Sequence, residues 1–111
     1  MYTGTGKRLI YIKIHNTESG RIVAMCDESV IGKIIEEEDV EIDLKTYSDF
    51  YKGRLVGPEG VPSINELEDM SSANIVGKES VAIAIDKGII GERSVRIVCG
   101  VPFAQAFRIK V

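Results

Sequence analysis

The stretch that most constrains the fold of this chain is its end, residues 95–111, reading Val-Arg-Ile-Val-Cys-Gly-Val-Pro-Phe-Ala-Gln-Ala-Phe-Arg-Ile-Lys-Val. Two β-type runs are divided by Gly100-Val101-Pro102, and the second alternates: Phe107, Ile109 and Val111 on one side, Arg108 and Lys110 on the other. A period of two with one apolar side specifies a half-buried strand. Three such side chains stabilise by about 1.5–3 kcal/mol each when buried, against about 5–15 kcal/mol for a whole small domain. The last strand is therefore expected inside the sheet, paired with residues 95–99 or with the N-terminal strand. Proline fixes φ and lacks a donor, so the 100–102 corner is expected to interrupt the pairing.

With 111 residues the chain makes one domain, large enough for a core without staples. No apolar run reaches the roughly 18 residues of a membrane span, and the start lacks a signal-peptide pattern. A cytoplasmic protein with no membrane partner is expected. Cys26 and Cys99 are too few for a disulfide framework and read as reduced core thiols. The lone His15 has no companion at metal-ligand spacing, so neither a metal site nor a cofactor is expected. Charge is segregated: residues 1–26 and 70–111 each carry +3, while residues 27–69 carry −9. Such asymmetry bears on partners rather than on fold.

Residues 1–7 are expected to fray; their Gly4-Thr5-Gly6-Lys7 lacks the strand before it and the hydroxyl after it that a phosphate loop needs. Residues 8–15 alternate, with Ile10, Ile12 and Ile14 on one face, and residues 21–26 form a second β run. They predict an antiparallel hairpin with a five-residue loop at 16–20. Asp27 can cap a short helix to about residue 35, although Gly32 weakens it. Val40, Ile42 and Leu44 mark a third strand, residues 54–56 a short edge strand. Ser63 can cap a helix carrying Ile64, Leu67, Ser71 and Ile75, closed by Gly77. A second helix follows over about 78–87, closed by Gly88. The expected architecture is thus α+β: a single small domain with a mainly antiparallel sheet of four to six strands. A helix hairpin over about 63–87 and a short helix over about 27–35 cover one face.

The joint pattern of Tyr11 to His15, Cys26-Asp27-Glu28, Gly32-Lys33, Ala73-Asn74-Ile75-Val76-Gly77 and Gly100-Val101-Pro102-x-Ala104-Gln105 resembles a family of small archaeal proteins catalogued as domain of unknown function 424. The family pattern places a histidine between the proline and the Ala-Gln, where this chain carries Phe103, so an imidazole role is not expected here. The resemblance implies a setting among translation and ribosome-related proteins and no particular activity.

Four candidate surfaces follow. The first is a small ligand pocket at the corner, built from Asn74 and Gly77 of the helix hairpin with Gly100, Pro102, Phe103 and Gln105. The second is Asp27, Glu28 and Lys33 on one helical turn, which reads more simply as a cap and a solvated face. The third is a basic set, Lys7, Arg8, Lys13, Arg21, Arg93, Arg96, Arg108 and Lys110. It could gather on one face and meet phosphate backbones if the first and last strands are neighbours, with Tyr11 stacking on a base. The fourth is the acidic run of residues 36–43, a docking surface for a basic partner or simply an exposed turn. No nucleophile–base pair or phosphate loop points to catalysis. The leading expectation is a small non-catalytic adaptor that engages a ribonucleoprotein or a translation-related protein; the alternative is a small-ligand binder or enzyme at the 100–105 corner.

Overall fold

In the computed structural model, which describes residues 9–108, the chain opens with the hairpin β1 (Ile10–Thr17) and β2 (Gly20–Asp27). Its connection is shorter than the five residues expected. Asn16 pairs with Arg21 and Thr17 with Gly20, leaving Glu18-Ser19 at the tip. Thr17 Oγ1 closes the turn, donating to Gly20 O (2.6 Å) and accepting from Ser19 N–H (3.2 Å). A side chain on Gly20 would bring its Cβ to 2.3 Å from Asp69 O, so only glycine allows the 66–69 turn to close on this hairpin.

Next come β3 (Ile34–Glu37) and β4 (Val40–Asp43), a separate two-stranded hairpin, then the single-turn α1 (Ser48–Tyr51) and the short β5 (Arg54–Val56). Beyond two 3₁₀ turns lie β6 (Met70–Val76), α2 (Lys78–Asp86), β7 (Val95–Val98) and β8 (Val101–Phe107). The main sheet has the order β5-β1-β2-β6-β8-β7; β2 and β6 run parallel and every other pair is antiparallel. The domain is α+β with a mixed six-stranded sheet.

Two expected helices are strands or turns. The helix hairpin over 63–87 retains only its second arm, α2. The first arm is one 3₁₀ turn, Ile64–Glu66, where Glu66 Oε1 accepts from Ser63 N–H (3.3 Å), followed by the strand β6. β6 reads Met-Ser-Ser-Ala-Asn-Ile-Val: Ala73 and Ile75 face the core under α2 and Ser72 and Asn74 the partly open side, but Val76 breaks the alternation. Ile64 and Leu67 lie outside the strand, so their helical spacing with Ile75 is a coincidence. The helix over 27–35 is absent as well: Asp27 ends β2, Gly32 takes φ +85, and β-branched Ile34 and Ile35 enter β3.

Asp27 does cap a helix, but a distant one. Its carboxylate, 4% exposed, accepts from Glu79 N–H (3.0 Å) and Ser80 N–H (2.7 Å) in the first turn of α2. Gly77 makes this possible. With φ +113 it turns β6 into α2, and a Cβ there would lie 2.3 Å from Asp27 Cγ. Gly77 thus opens α2 rather than closing a preceding helix.

The sheet is covered on both faces, not one. Ile10, Ile12, Val23, Met25, Ala73 and Ile75 pack beneath α2 in one core. Cys26, Val76 and Val98 pack against Ile35 and Leu44 in a second core under the β3–β4 hairpin. The break between β7 and β8 falls at Cys99-Gly100, both with positive φ (48° and 77°), the signature of a type I′ hairpin. Pro102 lies inside β8, opposite Ile97. Its carbonyl faces away from β7 and accepts from Gly77 N–H (2.8 Å). A strand residue's N and C=O point to the same side, so the missing donor falls where the β7 ladder does not need it. β8 is interior, between β6 and β7, yet Phe107 is 74% exposed rather than buried. Ile109 and Val111 lie outside the described residues.

Candidate functional site

Register partners in a sheet share a face, so strand pairing places the candidate residues directly. On the face under the β3–β4 hairpin, Asn74 of β6 stands opposite Gln105 of β8, and Gln105 Nε2 donates to Asn74 Oδ1 at 2.9 Å. The next rows on the same face are Val76 with Phe103, and Ser72 with Phe107. Asn74, Phe103 and Gln105 are thereby brought into one place, as the corner pocket requires, although Asn74 comes from a strand. Gly77 is occupied with Asp27, while Gly100 and Pro102 serve the β7–β8 hairpin; none of these three lines the cavity.

The cavity is an open groove of about 520 Å³ between this floor and the segment 40–51. Val40, Ile42, Tyr47, Phe50 and Tyr51 form its wall, with Glu41 and Asp43 at the rim. α1 is held over the sheet by His15, which stacks on Phe50 (ring centroids 4.4 Å apart, 12° between planes) and donates from Nε2 to Phe50 O (2.8 Å). Tyr47 is 62% exposed, so the wall presents aromatic surface to solvent. A second groove of about 490 Å³ lies beside it, between Glu37, Glu38 and Asp39 of the hairpin tip and Arg96, Ile97 and Val98 of β7. The two adjoin, since Val40 and Phe103 line both.

Burial pushes the Cys26 thiol up from 9.0 to about 12, aided by the Asp27 charge, and pushes Tyr51 up from 10.0 to about 12, aided by Cys26. Both stay protonated at neutral pH, so neither supplies an anionic nucleophile. Asp43 is held below the usual carboxylate range chiefly by the Thr46 N–H (2.8 Å), with Lys45 N–H also donating (3.0 Å). It stays an anion at the rim. Among the described residues no group of three or more His, Cys, Asp or Glu side chains could hold a metal.

The other candidate surfaces are dispersed. Asp27 is buried as the cap of α2, while Glu28 and Lys33 are exposed in the turn that follows, so no helical turn unites them. β1 and β8 are separated by β2 and β6, and the basic residues do not form one face. Arg21 pairs with Asp69 Oδ1 (2.6 Å) and donates to Glu66 O (3.1 Å). Arg108 donates to Leu67 O (3.1 Å) and Glu68 O (3.0 Å), so both arginines fasten the same turn. Lys13 donates to Asp49 O (2.8 Å) at one side of the sheet; Arg96 lies at the other, facing the acids of the hairpin tip. Lys52 Nζ lies 5.8 Å from the Tyr11 ring centroid, covering the ring proposed for stacking. Arg93 is exposed in a 3₁₀ turn. Lys7, Arg8 and Lys110 lie outside the described residues.

Sequence reasoning missed the groove wall. Tyr47, Phe50 and Tyr51 are spaced three and four apart, the signature of one helical face, but a single turn is too short to be read as a helix.

The family described as "Protein of unknown function (DUF424)" matches residues 14–109. No curated protein matches the chain. Among solved structures, the crystal structure of an uncharacterized conserved protein from Methanopyrus kandleri is similar, with a TM-score of 0.72 and 22% identity over 89% of this chain and 90% of that one. At that identity the likeness speaks for the fold.

Proposed function

The chain belongs to the DUF424 family, and from that premise we propose that it is a non-catalytic binding module of the cytoplasm, an adaptor whose working surface is the groove between the sheet and the segment 40–51. The observation that carries this reading is the Asn74–Gln105 pair. Each side-chain amide has one donor end and one acceptor end, and their mutual bond uses one of each. One amino group and one carbonyl remain for a ligand, whichever way the two amides are oriented. Polar groups of this kind on a floor shared with Phe103 and walled by Tyr47 and Phe50 fit the usual make-up of a binding site, apolar with a few fixed polar contacts. Glu41 and Asp43 at the rim disfavour phosphates and favour a neutral or cationic occupant. A ribonucleoprotein or translation-related protein, rich in basic segments, is the kind of partner this rim would accept.

Quantitative capture from a lysate tests the reading, comparing the full chain with the variant Asn74→Ala/Gln105→Ala/Tyr47→Ser. At least one partner should be retained by the former and lost by the latter. Identical capture by both would remove the groove from consideration. The alternative, a small-ligand binder or enzyme at the same amide pair, is favoured by the groove's size. Thermal-shift screening separates the two, because a metabolite at about 100 times its Kd stabilises by about 2.7 kcal/mol.

A further inference from the structure

We infer that the occupant of this surface is an extended basic peptide segment, lying across both adjoining grooves with the main-chain N–H and C=O of one residue seated on the Asn74–Gln105 pair. The inference rests on the groove being the working surface and specifies what fills it. One residue of an extended chain offers its own N–H and C=O on the same side, at fixed separation. The amide pair leaves one carbonyl and one amino group to receive them. Single polar contacts of that kind orient a main chain without selecting a side chain, which is how strand-like peptides are held.

Charge complementarity names the side chains. The lining of the two grooves brings Glu37, Glu38, Asp39, Glu41 and Asp43 against Arg96 as the sole cationic member. Glu37 Oε1 also accepts from Cys99 N–H (2.6 Å), which ties the hairpin tip to the β7–β8 turn and fixes the acids beside the cleft. Lys or Arg side chains can bury their stems along apolar surface while their heads reach carboxylates. That apolar surface is present: Val40 and Tyr47 are exposed along the cleft, and Phe107 is exposed in the next row of the same sheet face. Solvent-facing apolar groups of this size beside an interrupted acidic rim are a docking surface in kind. A nucleic acid would bring its phosphates against the same carboxylates, and that repulsion is the reason a peptide is favoured.

The test is selection of a random dodecapeptide display library on the immobilised full chain at low salt. Enriched sequences should carry an excess of Lys and Arg and should shift the side-chain amide NMR signals of Asn74 and Gln105. The exposed triple variant Glu38→Lys/Asp39→Lys/Glu41→Lys should weaken a selected peptide by about tenfold or more, with the loss shrinking as salt is raised. Asn74→Ala/Gln105→Ala should weaken it with no change in salt dependence. The inference is overturned by selection that enriches nothing above background, by enrichment without cationic bias, or by peptides that bind the charge-reversed variant equally well. Binding of a homopolymeric RNA at the two amides in place of peptide would overturn it too. A small neutral metabolite that stabilises the chain through Asn74 and Gln105, with no peptide selected, would sink this inference alone. No response of the groove to either would sink the proposed function with it.

Discussion

Beneath α2, Ile10, Val23, Met25 and Ile75 are wholly enclosed, and a buried carboxylate closes the helix. On the other face of the same strands the cover reaches only part of the way. Cys26 and Val76 are sealed beneath Leu44 and Ile35, but Gln105 and Phe107 farther along are open. The difference lies in the covering elements. α2 is a nine-residue helix locked to β2 and β6 through Asp27 and Gly77. The opposite cover is a four-residue-strand hairpin and a single helical turn, joined to the sheet edge through Glu37 and Cys99 and to β1 through His15. One face is sealed along its length, and the other, sealed only over its smaller core, has surface to spare for a ligand.

The largest expected effect breaks the closed face. Gly77→Ala forces a Cβ against the Asp27 carboxylate at a φ that side chains rarely adopt, so the α2 cap is lost together with the backbone geometry. A loss of about 3 kcal/mol or more is expected in urea denaturation. A variant with an unchanged midpoint would show that α2 does not depend on Asp27.

Next in size is a paired substitution, one on each face. Ile83→Ala empties a buried position of α2 and should cost about 2–5 kcal/mol. Tyr47→Ser, on the groove wall, should change stability by no more than about 0.5 kcal/mol while weakening whatever the groove binds. Similar losses from the two would mean that the groove wall is structural.

The unequal faces also explain what the sequence disclosed. The β1–β2 hairpin, the strand beginning at Val40, the edge strand at Arg54 and the helix ended by Gly88 were legible because each carries its own local signal. β6 was not. Its partners β2 and β8 lie far away in the chain, and its small and polar residues Ser71, Ser72 and Asn74 leave too short an apolar pattern to mark a strand. Asp27 showed its capping chemistry in the sequence but not its target, 52 residues on. Asn74 and Gln105 were singled out as companions, and their register pairing unites them; the aromatic wall opposite depends on how α1 folds back over the sheet. Phe107 is exposed because the apolar side of a strand is buried only where an element covers it, and its row with Ser72 lies beyond the Asn74–Gln105 row of that face.

A smaller effect is a pH response confined to the hairpin face. The Cys26 thiol and Tyr51 hydroxyl both titrate near 12 in the folded chain, above their ordinary values of 9.0 and 10.0. In between, the unfolded chain has released protons that the folded chain still holds. Stability is therefore complete below about pH 9 and declines as pH rises towards 12. Cys26→Ala/Tyr51→Phe should flatten that decline in denaturation midpoints measured from pH 8 to 11. An unchanged slope would place the alkaline sensitivity elsewhere.

The smallest expected change strengthens the open face. The β7–β8 turn has both central residues at positive φ, which Asn-Gly satisfies better than Cys-Gly, because asparagine tolerates the left-handed region and cysteine does not. Cys99→Asn should therefore stabilise by up to about 1 kcal/mol, a rise of a few degrees in Tm for a chain of this size. Cys99 N–H, which donates to Glu37 Oε1, belongs to the backbone and survives the change. The Sγ contact to Glu36 O (2.9 Å) is lost, but an asparagine amide is a stronger donor to the same carbonyl. Because the turn anchors the acidic hairpin tip, a firmer turn should also tighten binding of a cationic peptide without touching the groove floor. A fall in Tm would mean that the thiol contact to Glu36 outweighs the backbone strain, and that the hairpin is held to the sheet by Cys99 through its side chain as well as its main chain.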